Sequence, residues 1–195
     1  MLKPQTAIVG DILCYRAKRD DLIGGLIGFF SDLGRKQSNI VHVGVYAGFG
    51  RVIQSHLTVD KKTYLEGQTR SGCHMATIPE SDYKLIDVYR VRMLEPQERR
   101  SLIDWMKSEY TSGYDIESFS ESFYRSVLGR IFGWEDLGKR KPDDNSNPYN
   151  RYNCAEYVAS AYKESLGIDI VPRLHPYNYT PADYVGRGSI LKRVS

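Results

Sequence analysis

The stretch Ile40-Val41-His42-Val43-Gly44-Val45-Tyr46-Ala47-Gly48-Phe49-Gly50-Arg51-Val52-Ile53-Gln54-Ser55-His56 decides the fold. Two β-branched, aromatic-containing runs flank Ala47-Gly48-Phe49-Gly50, and runs of this kind around a glycine-containing turn predict a β-hairpin. Successive strand side chains point to opposite faces, so Gln54 and His56 share one face of the returning strand. Pairing of the two arms therefore carries polar groups back beside the His42 imidazole.

Working outward, Ala7-Ile8-Val9 is the first strand-like run, and the turn pair Gly10-Asp11 leads from it into Ile12-Leu13-Cys14-Tyr15. Further strands are expected around Gly72 to Ile78 and at Tyr83 to Arg92, where Leu85, Asp87, Tyr89 and Val91 alternate with Ile86, Val88 and Arg90. These runs make a mostly antiparallel sheet. Helical spacing takes over from Pro96 to Tyr110, through Leu102, Ile103, Met106 and Tyr110. Ile116 to Phe132 repeats the pattern with Phe119, Phe123, Val127 and Ile131, and the Gly-rich Asp20 to Leu33 segment reads as a short helix. From Glu135 to Asn153 apolar periodicity stops and Pro, Asp and Asn accumulate, which predicts a long loop. Its Lys139-Arg140-Lys141 cluster reads as solvated surface. A last clear helix opens at Asn153-Cys154, turns Ala155, Val158, Ala159 and Tyr162 toward a core, and stops at Gly167. Thr180-Pro181-Ala182-Asp183 is a helix start in miniature, with a capping hydroxyl and Pro in the first position. The expectation is a single α+β domain over residues 1–195, with a long loop at about 135–153.

Composition narrows the partners. Across 195 residues, 27 Lys and Arg stand against 24 Asp and Glu, for a net charge of +3. Both signs are mixed along the chain, which leaves no electrostatic footprint for a phosphate backbone, so nucleic acid is not the expected partner. The longest apolar run, Leu22 to Phe30, has nine residues, far short of the ~20 that a spanning helix needs. No basic segment followed by a long apolar run opens the chain, which makes a cytoplasmic address the expectation, with a phage origin or delivery by another route as alternatives. Three separated cysteines, Cys14, Cys73 and Cys154, argue against a disulfide framework and for a reducing compartment.

Cys154 falls in the first turn of its helix, directly after an Asn suited to capping. Unpaired backbone N–H groups and the helix dipole there push a thiol toward thiolate, although a small buried core residue would show the same pattern. A nucleophilic thiol needs a base held in one tautomer by a third polar group. The histidines are His42, His56, His74 and His175. His42 is the one the hairpin supplies with polar neighbours, and Gln54 and His56 are the two candidates to orient it. A zinc site from Cys14, His56, Cys73, His74 and Cys154 matches no ligand spacing.

Five segments together carry a resemblance: GDILCYR (Gly10 to Arg16), HVGVYAGFGRVIQ (His42 to Gln54), GYD (Gly113 to Asp115), NCAEYVASAY (Asn153 to Tyr162) and TPADY (Thr180 to Tyr184). The chain resembles the circularly permuted branch of the NlpC-type, papain-like cysteine peptidases, the YiiX/YebB-like enzymes, which are related to lecithin:retinol acyltransferase-like proteins. The order is the informative part: the histidine hairpin precedes the cysteine helix. Cys154-Ala155-Glu156-Tyr157-Val158 keeps the Cys, Glu and Val positions of the family's C-S-E-L-V pattern, and His42-Val43-Gly44-Val45-Tyr46 matches its H-x-G-I-Y. The resemblance implies a permuted papain-like fold with the nucleophile at a helix N-terminus. It also implies Cys154 as nucleophile, His42 as base, Gln54 as the third residue with His56 as the alternative, and Tyr114 with Asp115 as binders of a substrate amino group. Gln54 departs from the usual Glu or His, and a neutral amide orients an imidazole without stabilising imidazolium. The implied activity is hydrolysis of a peptide amide, in bacterial cell-wall muropeptides, with no cofactor or metal. Two other readings stay open. One is a lipid acyltransferase or thioesterase with the same Cys-His pair, Leu22 to Phe30 forming an acyl-chain wall; the other is a non-catalytic binding domain in which Cys154 is only packed.

Overall fold

Among the residues that the computed structural model describes, 6–17, 39–56, 72–114, 151–172, 180–185 and 189–194, the chain forms eight strands and two α-helices. Six strands, β1 (Ile12–Arg16), β2 (Ile40–Gly48), β3 (Arg51–His56), β4 (Gly72–Thr77), β5 (Ile86–Arg90) and β8 (Lys192–Arg193), build one antiparallel sheet in the order β4-β3-β2-β1-β5-β8. Two short strands, β6 (Gly113–Tyr114) and β7 (Arg151–Tyr152), pair in parallel beside it. Helix α1 (Pro96–Ser108) packs on α2 (Cys154–Leu166), and α2 lies against β2 and β3. The architecture is α+β, as the hydrophobic periods predict.

Strand alternation explains the two cores. Ile12, Cys14, Val43, Val45, Ile53, Cys73 and Met75 turn toward Val158, Ala159 and Tyr162 of α2 and Leu102 and Met106 of α1. Their strand neighbours Leu13, Tyr46, Val52 and Ala76 turn to a second cluster with Ile78, Ile86 and Val88. The β2–β3 turn sets Phe49 and Gly50 at φ 52° and 68°, the positive pair that a two-residue hairpin turn requires. Phe49 stands 93% exposed at its tip.

Several expectations are corrected. Ala7-Ile8-Val9 is not a strand: Asp11 closes a turn there, its N–H donating to Ile8 O at 3.0 Å and its carboxylate accepting from Ile8 N–H at 2.9 Å. Tyr83 to Leu85 belong to a 3-10 turn, Glu80–Leu85, that follows Pro79; only Ile86–Arg90 of the expected strand pairs. The long loop ends in β7 rather than running unbroken to Asn153. Thr180 opens only a 3-10 turn, Pro181–Tyr184. The helices expected at 20–33 and 116–132 lie outside the described residues, as does most of the 135–153 loop. Among the described residues, no helix is long and apolar enough to cross a membrane.

Candidate active site

The N-terminus of α2 is fixed from several directions. Asn153 Oδ1 accepts from the N–H groups of Ala155 and Glu156, both at 2.9 Å, and Glu156 returns the bond by accepting from Asn153 N–H at 3.1 Å. This reciprocal capping satisfies donors that a buried helix start otherwise leaves unpaired. Ser55 Oγ of β3 donates to Tyr152 O at 2.6 Å, and Tyr184 OH donates to Ala155 O at 2.6 Å. Further along the helix, Tyr157 OH donates to Met106 O and Tyr162 OH to Gly10 O. At the other end, Gly167 at φ 66° lets its own N–H and that of Ile168 close on Lys163 O and Tyr162 O. Cys154 is thus held as a first-turn residue, 6% exposed.

The place where the sulfur sits follows from a parting of strands. The β2–β3 ladder ends at Val45↔Ile53, while β3 stays paired to β4 as far as His56↔Gly72. Past that point β2 leaves β3, and the capped start of α2 packs against both strands, with Cys154 in the same cluster as Val43, Val45 and Ile53. Cys154 thus lies on the Val43 and Val45 side of β2, whereas His42 alternates to the other side, and among the described residues no hydrogen bond joins the two side chains.

His42, Gln54 and His74 form a row across β2, β3 and β4. Alternation puts them on the side of Tyr46, Val52 and Ala76, and Gln54 and His74 are directly opposite in register. Gln54 Oε1 lies 2.8 Å from His42 Nε2, Gln54 Nε2 lies 3.3 Å from His74 Nε2, and His74 Nδ1 lies 2.9 Å from Gly72 O. Gly44 makes the crossing feasible: a Cβ there would stand 2.5 Å from Val52 Cγ2 and 3.3 Å from Gln54 Cβ, in the lane Gln54 uses to reach diagonally to His42. His56 meets His42 differently, edge to face at 5.0 Å between ring centroids, and Tyr15 packs on the same imidazole at 5.2 Å. Of the two candidates to orient His42, Gln54 is thus the one bonded to a ring nitrogen.

Electrostatics overturn one expectation. Burial pushes the Cys154 thiol up to about 11, outweighing the three backbone N–H groups that favour its anion. Burial, aided by the neighbouring His56, brings His42 down to about 3, against the pull of its Gln54 bond. The helix start does not yield a resting thiolate, because desolvation of a buried charge exceeds what first-turn amides return. Burial also raises Cys14 and Cys73, and Cys154 is raised least of the three.

Tyr114 pairs with Tyr152 in the two-stranded sheet, which sets it beside the entry to α2. Asp115 and His175 lie outside the described residues, and so does the Leu22 to Phe30 segment. The described residues hold no group of three or more His, Cys, Asp or Glu placed to share a metal ion. His74 was legible only as one of the candidate zinc ligands; nothing in the sequence places it behind Gln54, since the register of β4 on β3 is a tertiary result.

No protein-family model and no curated protein matches the chain. Among solved structures it is similar to that of the metalloprotein yiiX from Escherichia coli O157:H7, DUF1105, with a TM-score of 0.46 and 16% sequence identity, over 97% of this chain and 88% of that one.

Proposed function

We propose that the chain is a permuted papain-like cysteine peptidase or amidase in which Cys154 and His42 carry out acyl transfer. The observation that supports this most is the Gln54 bond to Nε2 of His42, on the hairpin against which the capped Cys154 helix packs. With Nε2–H donated to Gln54 Oε1, the lone pair of His42 lies on Nδ1. That nitrogen takes the thiol proton as sulfur attacks the amide carbonyl. The C–N bond breaks as His42 returns the proton to the departing amine, leaving a thioester. Water then attacks with His42 again as base, and carboxylate and thiol are regenerated. Asn153 engages the amides of Ala155 and Glu156, so the N–H of Cys154 itself is the helix-start donor for the developing oxyanion.

The resemblance read from the sequence supports a peptide amide of bacterial cell wall as substrate, with Tyr114 and Asp115 receiving its amino group. The test is a trapping reaction. Wild type, Cys154→Ala and His42→Ala are incubated with muropeptides and with phospholipid, and mass spectrometry follows a covalent adduct and released product. The expected result is a Cys154 thioester and cleavage with muropeptide, with turnover down by roughly 10²–10⁴ in His42→Ala. An adduct from phospholipid alone points to the acyltransferase reading; no adduct and no turnover with either overturns the enzyme.

A further inference from the structure

The polarity of the row His42, Gln54, His74, Gly72 is fixed from one end. Gly72 O is a backbone carbonyl and only accepts, so His74 carries its proton on Nδ1 and donates it there. Burial holds His74 below the ordinary histidine range although that bond favours its charged form, and a neutral ring protonated on Nδ1 offers Nε2 as an acceptor only. The group that meets it 3.3 Å away is therefore the Gln54 amide NH₂. An amide that spends its NH₂ on His74 presents Oε1 to His42, and Oε1 in turn accepts only from Nε2–H. Every assignment follows from the one before.

The carbonyl end is itself rigid. Gly72 sits at φ 108°, where a Cβ would lie 2.3 Å from Ser112 O, and the next residue, Cys73, donates its N–H to that same oxygen at 3.1 Å. His74 is completely buried, whereas His42 and Gln54 are half-buried. Gln54 alone cannot choose a tautomer, because its amide presents a donor and an acceptor equally well to an imidazole nitrogen. A carboxylate at the same position would make that choice unaided.

We propose that His74 is a positioning residue that sets, through Gln54, which ring nitrogen of His42 bears the proton, and so delivers Nδ1 as the base for Cys154. This rests on the acyl-transfer reading for its catalytic meaning, but the tautomer itself is measurable without any substrate.

The experiment uses the full chain labelled with ¹⁵N-histidine, read by two-bond ¹H–¹⁵N correlation near neutral pH, in wild type, His74→Phe and His74→Gln. The expected result is His42 neutral and protonated on Nε2 in wild type, and distributed between both tautomers in His74→Phe. In turnover assays His74→Phe lowers kcat by on the order of tenfold or more with KM little changed, the size typical of losing a partner that orients a functional ligand. The decisive comparison repeats the substitution in a Gln54→Glu background, where the acceptor no longer has two ends. There His74→Phe leaves the His42 tautomer unmoved and its kcat effect shrinks. A purely structural loss persists in both backgrounds and overturns the proposal, as does a His42 that keeps Nε2–H unchanged in a folded His74→Phe chain. His74→Leu carries the same test if the Phe variant does not fold, and His74→Gln, which can still donate to Gly72 O and accept from Gln54, restores the wild-type tautomer. Absence of turnover in wild type with a tautomer that still answers to His74 sinks the enzyme reading alone.

Discussion

Alkylation of Cys154 as a function of pH tests the electrostatic argument at its centre. With the thiol pushed up to about 11, against 9.0 for an ordinary thiol, roughly 10⁻⁴ of it is ionised at pH 7 where roughly 10⁻² of a free one is, about a hundredfold less. Thiolate is the reacting species, so the logarithm of the rate climbs by about one per pH unit from pH 6 to pH 10, without a plateau. Burial of the sulfur slows every point alike and leaves the slope untouched. The assay is iodoacetamide labelling of the native protein in a pH series, with peptide mapping to separate Cys154 from Cys14 and Cys73. Those two are buried without exposure and label more slowly throughout. A rate that is level between pH 5 and pH 8 would mean a resting thiolate beside a protonated His42, and would refute the conclusion that burial outweighs the helix-start amides.

Asn153→Ala removes the acceptor of two helix-start amides and lowers unfolding free energy by about 1 kcal/mol; urea denaturation reads this, and Asn153→Asp, which keeps the acceptor, avoids most of the loss. Gly44→Ala drives a methyl to 2.5 Å from Val52 Cγ2 and 3.1 Å from Ile53 O, an overpacking worth about 1–3 kcal/mol, measured by the same titration; a neutral result means that β2 and β3 separate more easily than the hairpin suggests. Stability also falls with acid. His42 at about 3 and a lowered His74 stay neutral in the folded chain while their unfolded forms take protons near 6.5, so the unfolded state binds more protons as pH drops below about 6.5. The urea midpoint is therefore lower at pH 5 than at pH 7, and a midpoint that holds or rises contradicts the two neutral imidazoles.

The hairpin and the Cys154 helix were legible because their signals are local. Alternation with a glycine-bearing turn specifies β2 and β3, and an Asn ahead of Cys154 with Gly167 beyond the apolar run marks the ends of the helix. The twelve-residue separation of His42 and Gln54 became an approach once the hairpin was granted. What stayed hidden depends on distant partners. The 3.3 Å approach of His74 to Gln54 requires the β3–β4 register, which Gly72 sets by pressing against Ser112, forty residues on. Strand β8 is two charged residues whose pairing to β5 is accompanied by the Arg193 bond to Asp87, at 2.7 Å; no hydrophobic period announces it. The thiolate expectation failed for the same reason, since a helix start is visible in sequence and the depth at which its thiol is buried is not.

An amide orienter and a thiol that stays protonated belong together. A carboxylate behind His42 would favour imidazolium; Gln54 supplies direction without charge, and burial favours the neutral forms of both His42 and Cys154. In the proposed acyl transfer the proton would then move only as the new bond forms, which is general-base catalysis rather than attack by a preformed anion. In such a site the tautomer of the base replaces its charge as the quantity that must be fixed beforehand. On the proposed reading, that is why a fully buried histidine two strands from His42, anchored to a backbone carbonyl of its own strand, would bear on the reaction.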